Sequence, residues 1–141
     1  MIVVGASIAA KWYLHEPGSA EAAALLASAV LLIAPALIRI EVTGAILRRY
    51  REGKLSQNLA SQACGLWDSD LANGAIRLVP DDTLIVPARA IAFQIRHALQ
   101  DCLYLAAAIE TRAASLVTAD AAFHARAAGA FHFVDLQASS K

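Results

Sequence analysis

Residues 1–7 read MIVVGAS, a short strand that leads straight into a helix. Ile2 to Val4 are all β-branched, which is typical of a strand buried in a parallel sheet. The segment from Ala6 to Leu14 favours a helix, and His15-Glu16-Pro17-Gly18 breaks it. A strand followed directly by a helix is the repeating unit of parallel α/β proteins, so this stretch predicts that class.

The same alternation recurs along the rest of the 141-residue chain. Further strands are predicted at 31–33, 76–79, 115–118 and 131–134, with helices between them. The pattern predicts one domain over residues 1–141, built as an α/β/α sandwich on a central, mainly parallel sheet of about five strands.

The composition restricts the classes of partner and the cellular location. Hydrophobic residues make up 58% of the chain and charged residues 17%, with 12 acids balanced by 12 bases. We therefore expect a second copy or another protein to cover an apolar surface, and no binding of nucleic acid by bulk charge alone. We expect neither a signal peptide, because no cationic region precedes the first apolar run, nor a membrane span, because the longest uncharged stretch, 22–38, contains Pro35 and is too short. Cys64 and Cys102 are isolated and are predicted to be small buried residues, which favours a reducing cytoplasm.

Three carboxylates lie within apolar sequence. They are Glu41 in APALIRIEVTGAIL, Asp101 in HALQDCLYLAAAI and Asp120 in ASLVTADAAF. An ionised carboxylate removed from water is costly unless a cation compensates it. Asp120 and Gly5 directly follow predicted strands, and the carboxyl ends of parallel strands meet at one edge of the sheet. Asp101 is at the start of a predicted helix and Glu41 is one turn into another, both at the same edge, so we expect the three acids to share a site.

A cluster of carboxylate oxygens selects hard cations. Without histidine or cysteine ligands, such a site favours Mg²⁺ or Mn²⁺ over zinc, and these ions support phosphodiester hydrolysis. Thr118 is two residues before Asp120, so on a strand the two share a face, and Ser7 lies on the first helix; both could orient a carboxylate or a metal-bound water. The histidines show no ligand spacing and are expected at the surface or at helix ends; they are His15, His97, His124 and His132.

Each acid also has a structural alternative. Glu41 could form a salt bridge with Arg39 or Arg48. Asp101 could be favoured only by the dipole of its helix, and Asp120 could be an N-cap. Three acids from separate segments at one sheet edge nevertheless favour the metal site.

Four segments resemble the PIN-domain proteins, and among them the VapC-type toxins of bacterial toxin–antitoxin pairs. The segments are IVVGASIAAKWYLHEPGS at 2–19, APALIRIEVTGAILRR at 34–49, HALQDCLYLAAA at 97–108 and LVTAD at 116–120. They occur in the order and at the spacing of that family and together span nearly the whole chain. The resemblance implies a Mg²⁺- or Mn²⁺-dependent endoribonuclease, often a homodimer, that a VapB-type antitoxin blocks.

Carried over by position, the resemblance makes Glu41, Asp101 and Asp120 the catalytic, metal-binding acids. Thr118 and Ser7 become supporting groups. The family's first metal-binding aspartate falls at Gly5, which has no side-chain oxygen. Because loss of a residue that only supports a ligand already weakens such sites about 10–100-fold, we expect activity to be impaired.

Two origins of Gly5 stay open. Either a native aspartate has been replaced in a toxin that is hard to express, or the chain is a decayed member that only binds an antitoxin. The intact remaining acids favour the first.

A basic cluster follows Glu41 in the last turns of the predicted helix 37–52 and just beyond it, comprising Arg48, Arg49, Arg51 and Lys54. Cations placed at a helix C-terminus are its favoured interpretation, and contact with RNA phosphates is the functional alternative.

Overall fold

Five short runs form the strands of the computed structural model, which describes residues 1–131 and 134–138. They are β1 (Ile2–Val4), β2 (Leu32–Pro35), β3 (Arg77–Val79), β4 (Ser115–Thr118) and β5 (Asp135–Ala138). The strands form one sheet in the order β3-β2-β1-β4-β5, and every neighbouring pair is parallel. The predicted α/β class and parallel five-stranded sheet are confirmed.

Helices connect the strands and flank the sheet. They are α1 (Ala6–Ala9, continued by a 3-10 turn at Ala10–Trp12), α2 (Ser19–Ala27), α3 (Ile38–Arg51), α4 (Gln57–Ala72), α5 (Ile85–Ile95), α6 (Leu99–Thr111) and α7 (Ala121–Ala130). A second 3-10 turn, Asp81–Thr83, precedes α5. Within the described ranges, no helix is both long and apolar enough to cross a membrane.

The strand order places a crevice beside the first strand. From β1 the chain moves outward through β2 to β3, and it then returns to β4 on the other side of β1. β1 and β4 therefore flank the point where the strand order reverses, which is where ligands bind in open parallel sheets. Val4 pairs with Val117, so Gly5 lies next to the end of β4. The register thus brings two predicted site segments together.

Helix α6 packs against β1, β2 and β4 and forms part of the core. Every residue of its run Cys102–Ala108 is buried. Asp101 immediately precedes this run and is only partly buried, so it lies where the core meets the crevice. Cys102 is buried as predicted, whereas Cys64 on α4 is partly exposed, which corrects the prediction for that thiol.

The fifth strand differs from its prediction. The apolar run 131–134 predicted a strand, but Phe131 precedes the strand and Val134 forms a bend. Positions 132 and 133 lie outside the described residues, and His132 with them. The strand instead begins at Asp135, which pairs with Ser115 of β4. The observed strand, Asp135–Ala138, has weak β-propensity by itself. Its pairing with β4 determines where it forms, and no local sequence pattern encodes that pairing.

Candidate active site

A cavity of about 390 Å³ lies at the carboxyl ends of β1 and β4. Glu41 reaches it from α3, Asp101 from α6 and Asp120 from the start of α7. Its lining also includes the other predicted positions, Gly5, Ser7 and Thr118, together with Tyr104, Phe123 and Arg48. The structure therefore brings all three acids and both supporting hydroxyls to one place.

Asp120 caps helix α7 and also lines the cavity. Its Oδ1 accepts a hydrogen bond from the backbone N–H of Phe123 at 3.0 Å. Its own N–H donates to Oγ1 of Thr118 at 3.1 Å, and the N–H of Ala119 donates to Oγ of Ser7 at 3.0 Å. The capping alternative is thus correct for Oδ1. Thr118 and Ser7 hold the backbone of the loop that carries the carboxylate.

Asp101 forms a hydrogen bond with His97, a residue that the sequence did not predict to belong to the site. Nε2 of His97 lies 2.6 Å from Oδ2 of Asp101, and only 11% of the histidine side chain is exposed. The ring packs against Phe123 with the centroids 5.1 Å apart. His97 lies between the end of α5 and the start of α6, so its predicted place at a helix end is correct, but its side chain is largely buried and its contact with Asp101 was not predicted.

His97, Asp101 and Asp120 form a compact group of potential ligands. One ligand atom from each lies within 4.8 Å of the others, among the described residues. Glu41 is outside this group, but it lines the same cavity and interacts electrostatically with Asp101. The arrangement offers oxygen atoms from three acids and an imidazole beside them, a donor set that suits a divalent cation.

Glu41 receives a hydrogen bond that the sequence did not reveal. The hydroxyl of Tyr104 donates to its Oε1 at 2.5 Å. Burial raises the pKa of Glu41 above its ordinary value, the Tyr104 hydrogen bond lowers it, and the negative charges of Asp101 and Asp81 raise it again. Burial, followed by the contact with Glu41, also raises the pKa of Tyr104, so the phenol stays protonated as the donor.

The negative charge of the site is not balanced by a close side-chain cation. Among the described residues, neither Glu41 nor Asp120 has a salt bridge, and Asp101 is within 4.0 Å of no lysine or arginine nitrogen, its close partner being the His97 imidazole. Arg48 instead pairs with Glu52 at 3.9 Å, so the salt-bridge alternative for Glu41 is wrong. Carboxylates held together without a counter-charge are the chemistry that a bound divalent cation would stabilise. The residues present fit such an ion.

Gly5 occupies a backbone conformation that any residue can adopt. Its φ is −73° and its ψ is 153°, and it precedes α1 as an N-cap without a side-chain hydrogen bond. A Cβ built here would lie 3.1 Å from the carbonyl oxygen of Val117 and 3.7 Å from Oγ of Ser7. The first contact is tight, so a side chain requires a shift of a few tenths of an ångström. Backbone strain does not demand glycine at this position.

A second cavity of about 540 Å³ adjoins the acidic one, and Glu41 and Arg48 line both. Its cationic lining consists of Lys11, Arg48, Arg49 and Lys54, with Glu16 and Glu52 among them. Lys11 is only 9% exposed, and its Nζ donates to the carbonyl oxygen of Pro17. Arg51 is exposed on α3 and lines neither of these two cavities in the described part of the chain. The predicted basic cluster is therefore divided.

Comparison with known proteins identifies the fold. No protein-family model and no curated protein matches the chain. Among solved structures, the crystal structure of Mycobacterium tuberculosis VapC20, described as a sarcin-ricin loop cleaving toxin, is similar with a TM-score of 0.66 and 17% sequence identity. The match covers 89% of this chain and 94% of that one. The chain therefore shares its fold with this structure, and the PIN-like fold that its four sequence segments predicted is confirmed.

Proposed function

We propose that this chain is a metal-dependent endoribonuclease toxin of a toxin–antitoxin pair, impaired by Gly5 in place of a metal-binding aspartate. The observation that carries the proposal is the convergence of Glu41, Asp101 and Asp120 in one cavity without a balancing salt bridge from lysine or arginine in the described residues. They come from three different helices, so sequence proximity does not explain their meeting.

Each of the three acids would hold the ion through one oxygen. Oε1 of Glu41 is occupied by Tyr104, Oδ2 of Asp101 by His97, and Oδ1 of Asp120 by the N–H of Phe123. Their second oxygens make no hydrogen bond among the described residues and are the proposed ligands. A bound Mg²⁺ or Mn²⁺ ion would supply Lewis-acid polarisation of a phosphodiester and activation of a water for its hydrolysis.

Two observations support RNA as the substrate. VapC20, which shares the fold, is described as cleaving the sarcin-ricin loop. In this chain the cationic cavity adjoins the acidic one, and Glu41 and Arg48 line both. Its Lys11, Arg49 and Lys54 offer donors to phosphates that flank the cleaved bond, because phosphate contacts position a nucleic acid on a protein.

A second candidate function follows from Gly5 itself. A chain that lacks one ligand oxygen would bind a VapB-type antitoxin over the same cavity without cleaving RNA. We also propose a homodimer in the cytoplasm, as the family resemblance implies. Exposed apolar side chains support a covered surface, since Phe93 and Val86 on α5 are 80% and 64% exposed.

Replacement of Gly5 by aspartate tests the proposal. Gly5→Asp is expected to create RNA cleavage that requires Mg²⁺ or Mn²⁺, measured on structured and single-stranded RNAs by gel electrophoresis. Gly5→Asn is the matched control because it has nearly the same shape and caps α1 as well, but it brings no carboxylate. Glu41→Gln in the Gly5→Asp background should abolish the activity.

The result also separates the two functions. A folded Gly5→Asp protein that binds Mn²⁺ yet leaves every RNA intact would contradict the nuclease. Tight association of that inert protein with its antitoxin would then support the binding module. Cleavage by Gly5→Asn as strong as by Gly5→Asp would show that position 5 supplies no ligand.

A further inference from the structure

A chain of hydrogen bonds runs from helix α7 to Asp101. Nη1 of Arg126 lies 3.3 Å from Nδ1 of His97, and Nε2 of the same ring lies 2.6 Å from Oδ2 of Asp101. Nη1 of Arg126 also donates to the carbonyl oxygen of Arg96 at 2.7 Å. Both ring nitrogens of His97 are therefore engaged, one by a cation and the other by a carboxylate.

The chemistry of the two neighbours fixes the tautomer of His97. A guanidinium group only donates hydrogen bonds, so Nδ1 must offer its lone pair to Arg126. A neutral imidazole with an accepting Nδ1 carries its proton on Nε2. Nε2–H then donates to Asp101, which as a carboxylate accepts. The alternative tautomer would set a nitrogen lone pair against the carboxylate and an N–H against the guanidinium.

This assignment decides the role of His97 in the site. Nitrogen binds a metal through its lone pair, and the lone pair of Nε2 is replaced here by a proton directed at Asp101. We propose that His97 is a positioning residue that holds Oδ2 of Asp101 and leaves its other oxygen for the cation, and that Arg126 selects the tautomer that allows this. The inference rests on the proposed function, because it concerns the same metal site.

The surrounding structure keeps the chain of hydrogen bonds in place. Arg96 ends α5 with a positive φ of 53°, which is unusual for a residue other than glycine, and its carbonyl oxygen anchors Arg126. Phe123 packs on the imidazole ring. Asp120, Phe123 and Arg126 follow one another at intervals of three residues, so they share one side of α7. One helix thus presents a proposed ligand, a ring support and the tautomer-selecting cation together.

Nuclear magnetic resonance of the metal-free protein tests the tautomer directly. Long-range ¹H–¹⁵N correlations distinguish the Nε2–H from the Nδ1–H form, and loss of the signals in His97→Gln identifies them. We expect the neutral Nε2–H pattern. Arg126→Met should change the His97 nitrogen shifts, whereas Arg89→Met, at an exposed arginine of α5, should leave them unchanged. An Nδ1–H pattern, or no change in Arg126→Met, would overturn the inference.

Mn²⁺ affinity tests the positioning role. Gln places its amide nitrogen as many bonds from Cα as Nε2 of histidine, whereas Asn reaches only as far as Nδ1. In the Gly5→Asp background, His97→Gln should therefore keep Mn²⁺ affinity nearly unchanged, and His97→Asn should lose about 10–100-fold. Titration followed by the electron paramagnetic resonance signal of free Mn²⁺ measures this, and circular dichroism verifies folding.

The outcomes separate this inference from the proposed function. Equal Mn²⁺ affinity in His97→Asn and in its parent would overturn the positioning role while the metal site stands. An equally large loss in His97→Gln and His97→Asn would instead make the imidazole itself the ligand. Absence of Mn²⁺ binding in the folded Gly5→Asp parent would overturn the proposed function, and this inference with it.

Discussion

Tyr104 and Glu41 are 63 positions apart in the chain, and the phenol hydroxyl of the first donates to Oε1 of the second at 2.5 Å. The phenol is itself buried on α6, next to the core. The contact fixes one oxygen of a carboxylate that burial and neighbouring acids would otherwise disfavour as an anion. It links the most buried layer of the fold to the candidate metal site.

Removal of that hydroxyl should affect the metal site more than the fold. We expect Tyr104→Phe to lower the free energy of unfolding by about 0.5–1.5 kcal/mol, the usual net contribution of one hydrogen bond. In the Gly5→Asp background it should weaken Mn²⁺ binding about tenfold, because Glu41 loses its orienting partner. Denaturant titration and Mn²⁺ titration measure the two effects.

Tyr13→Phe is the matched control for this prediction. Tyr13 also donates a 2.5 Å hydrogen bond to a carboxylate, that of Asp70, and neither residue lines the acidic cavity. The control should lose similar stability and retain Mn²⁺ affinity. Equal Mn²⁺ affinities in the two variants would show that Tyr104 has a structural role only.

The ionisation of Glu41 should make the metal-free protein less stable as the pH rises. Its pKa in the folded protein is raised above 4.5, chiefly by burial, so the unfolded chain ionises first. A group of this kind binds more protons in the folded state, and stability falls with pH above the unfolded pKa. Glu41→Gln keeps an oxygen for Tyr104 and cannot ionise. It should therefore be more stable than its parent at about pH 7, with the difference vanishing below the unfolded pKa.

Urea denaturation of metal-free protein across this pH range measures the effect. Glu110→Gln, at an exposed position on α6, controls for the loss of one charge. In the Gly5→Asp background with saturating Mn²⁺, the parent should instead be more stable than its Glu41→Gln variant. The ion binds the folded protein with Glu41 as a carboxylate and thereby stabilises it. A Glu41→Gln variant that is less stable than its parent at neutral pH would contradict the expected cost of the buried charge.

Arg48 and Arg51 should differ in their contribution to RNA binding, although they are three residues apart. Arg48 lines both cavities, whereas Arg51 lines neither. Arg48→Ala should weaken binding of a fluorescent single-stranded RNA by the Gly5 protein and reduce the slope of log affinity against log salt by about 0.7. Arg51→Ala should leave both nearly unchanged. Fluorescence anisotropy measures the affinity and its salt dependence. Equal losses of RNA affinity in Arg48→Ala and Arg51→Ala would contradict the proposal that the cationic cavity binds RNA.

The exposed apolar side of α5 should be the surface that a second copy covers. Phe93 and Val86 are seven residues apart and lie on one side of the helix, beside a shallow cavity that Leu99 also lines. We expect light scattering to give a dimeric mass for the chain and a monomeric mass for Phe93→Glu. Leu66→Glu, at a 60% exposed leucine on α4, is the control and should stay dimeric. A monomeric parent would make the homodimer prediction wrong.

Local patterns predicted much of the fold and part of the site. β4 has the bounds that the sequence predicted, Ser115 to Thr118, and Ser56 caps α4 through Oγ, as its position before that helix indicates. Glycine often marks the end of a helix, but α7 continues through Gly129 to Ala130. Helix ends and buried strands depend on neighbouring residues, so a single segment encodes them.

The sequence by itself determined the order of strands and helices, the parallel class of the sheet and the three acids at the carboxyl ends of its strands. Only the tertiary structure decided that Tyr104 occupies one oxygen of Glu41, that His97 lies between Arg126 and Asp101, and that Arg51 is separate from the cavities. The physical reason is the distance along the chain over which each kind of interaction acts. Hydrophobic periodicity and capping act within a few residues, whereas these contacts join helices that meet only when the core has packed.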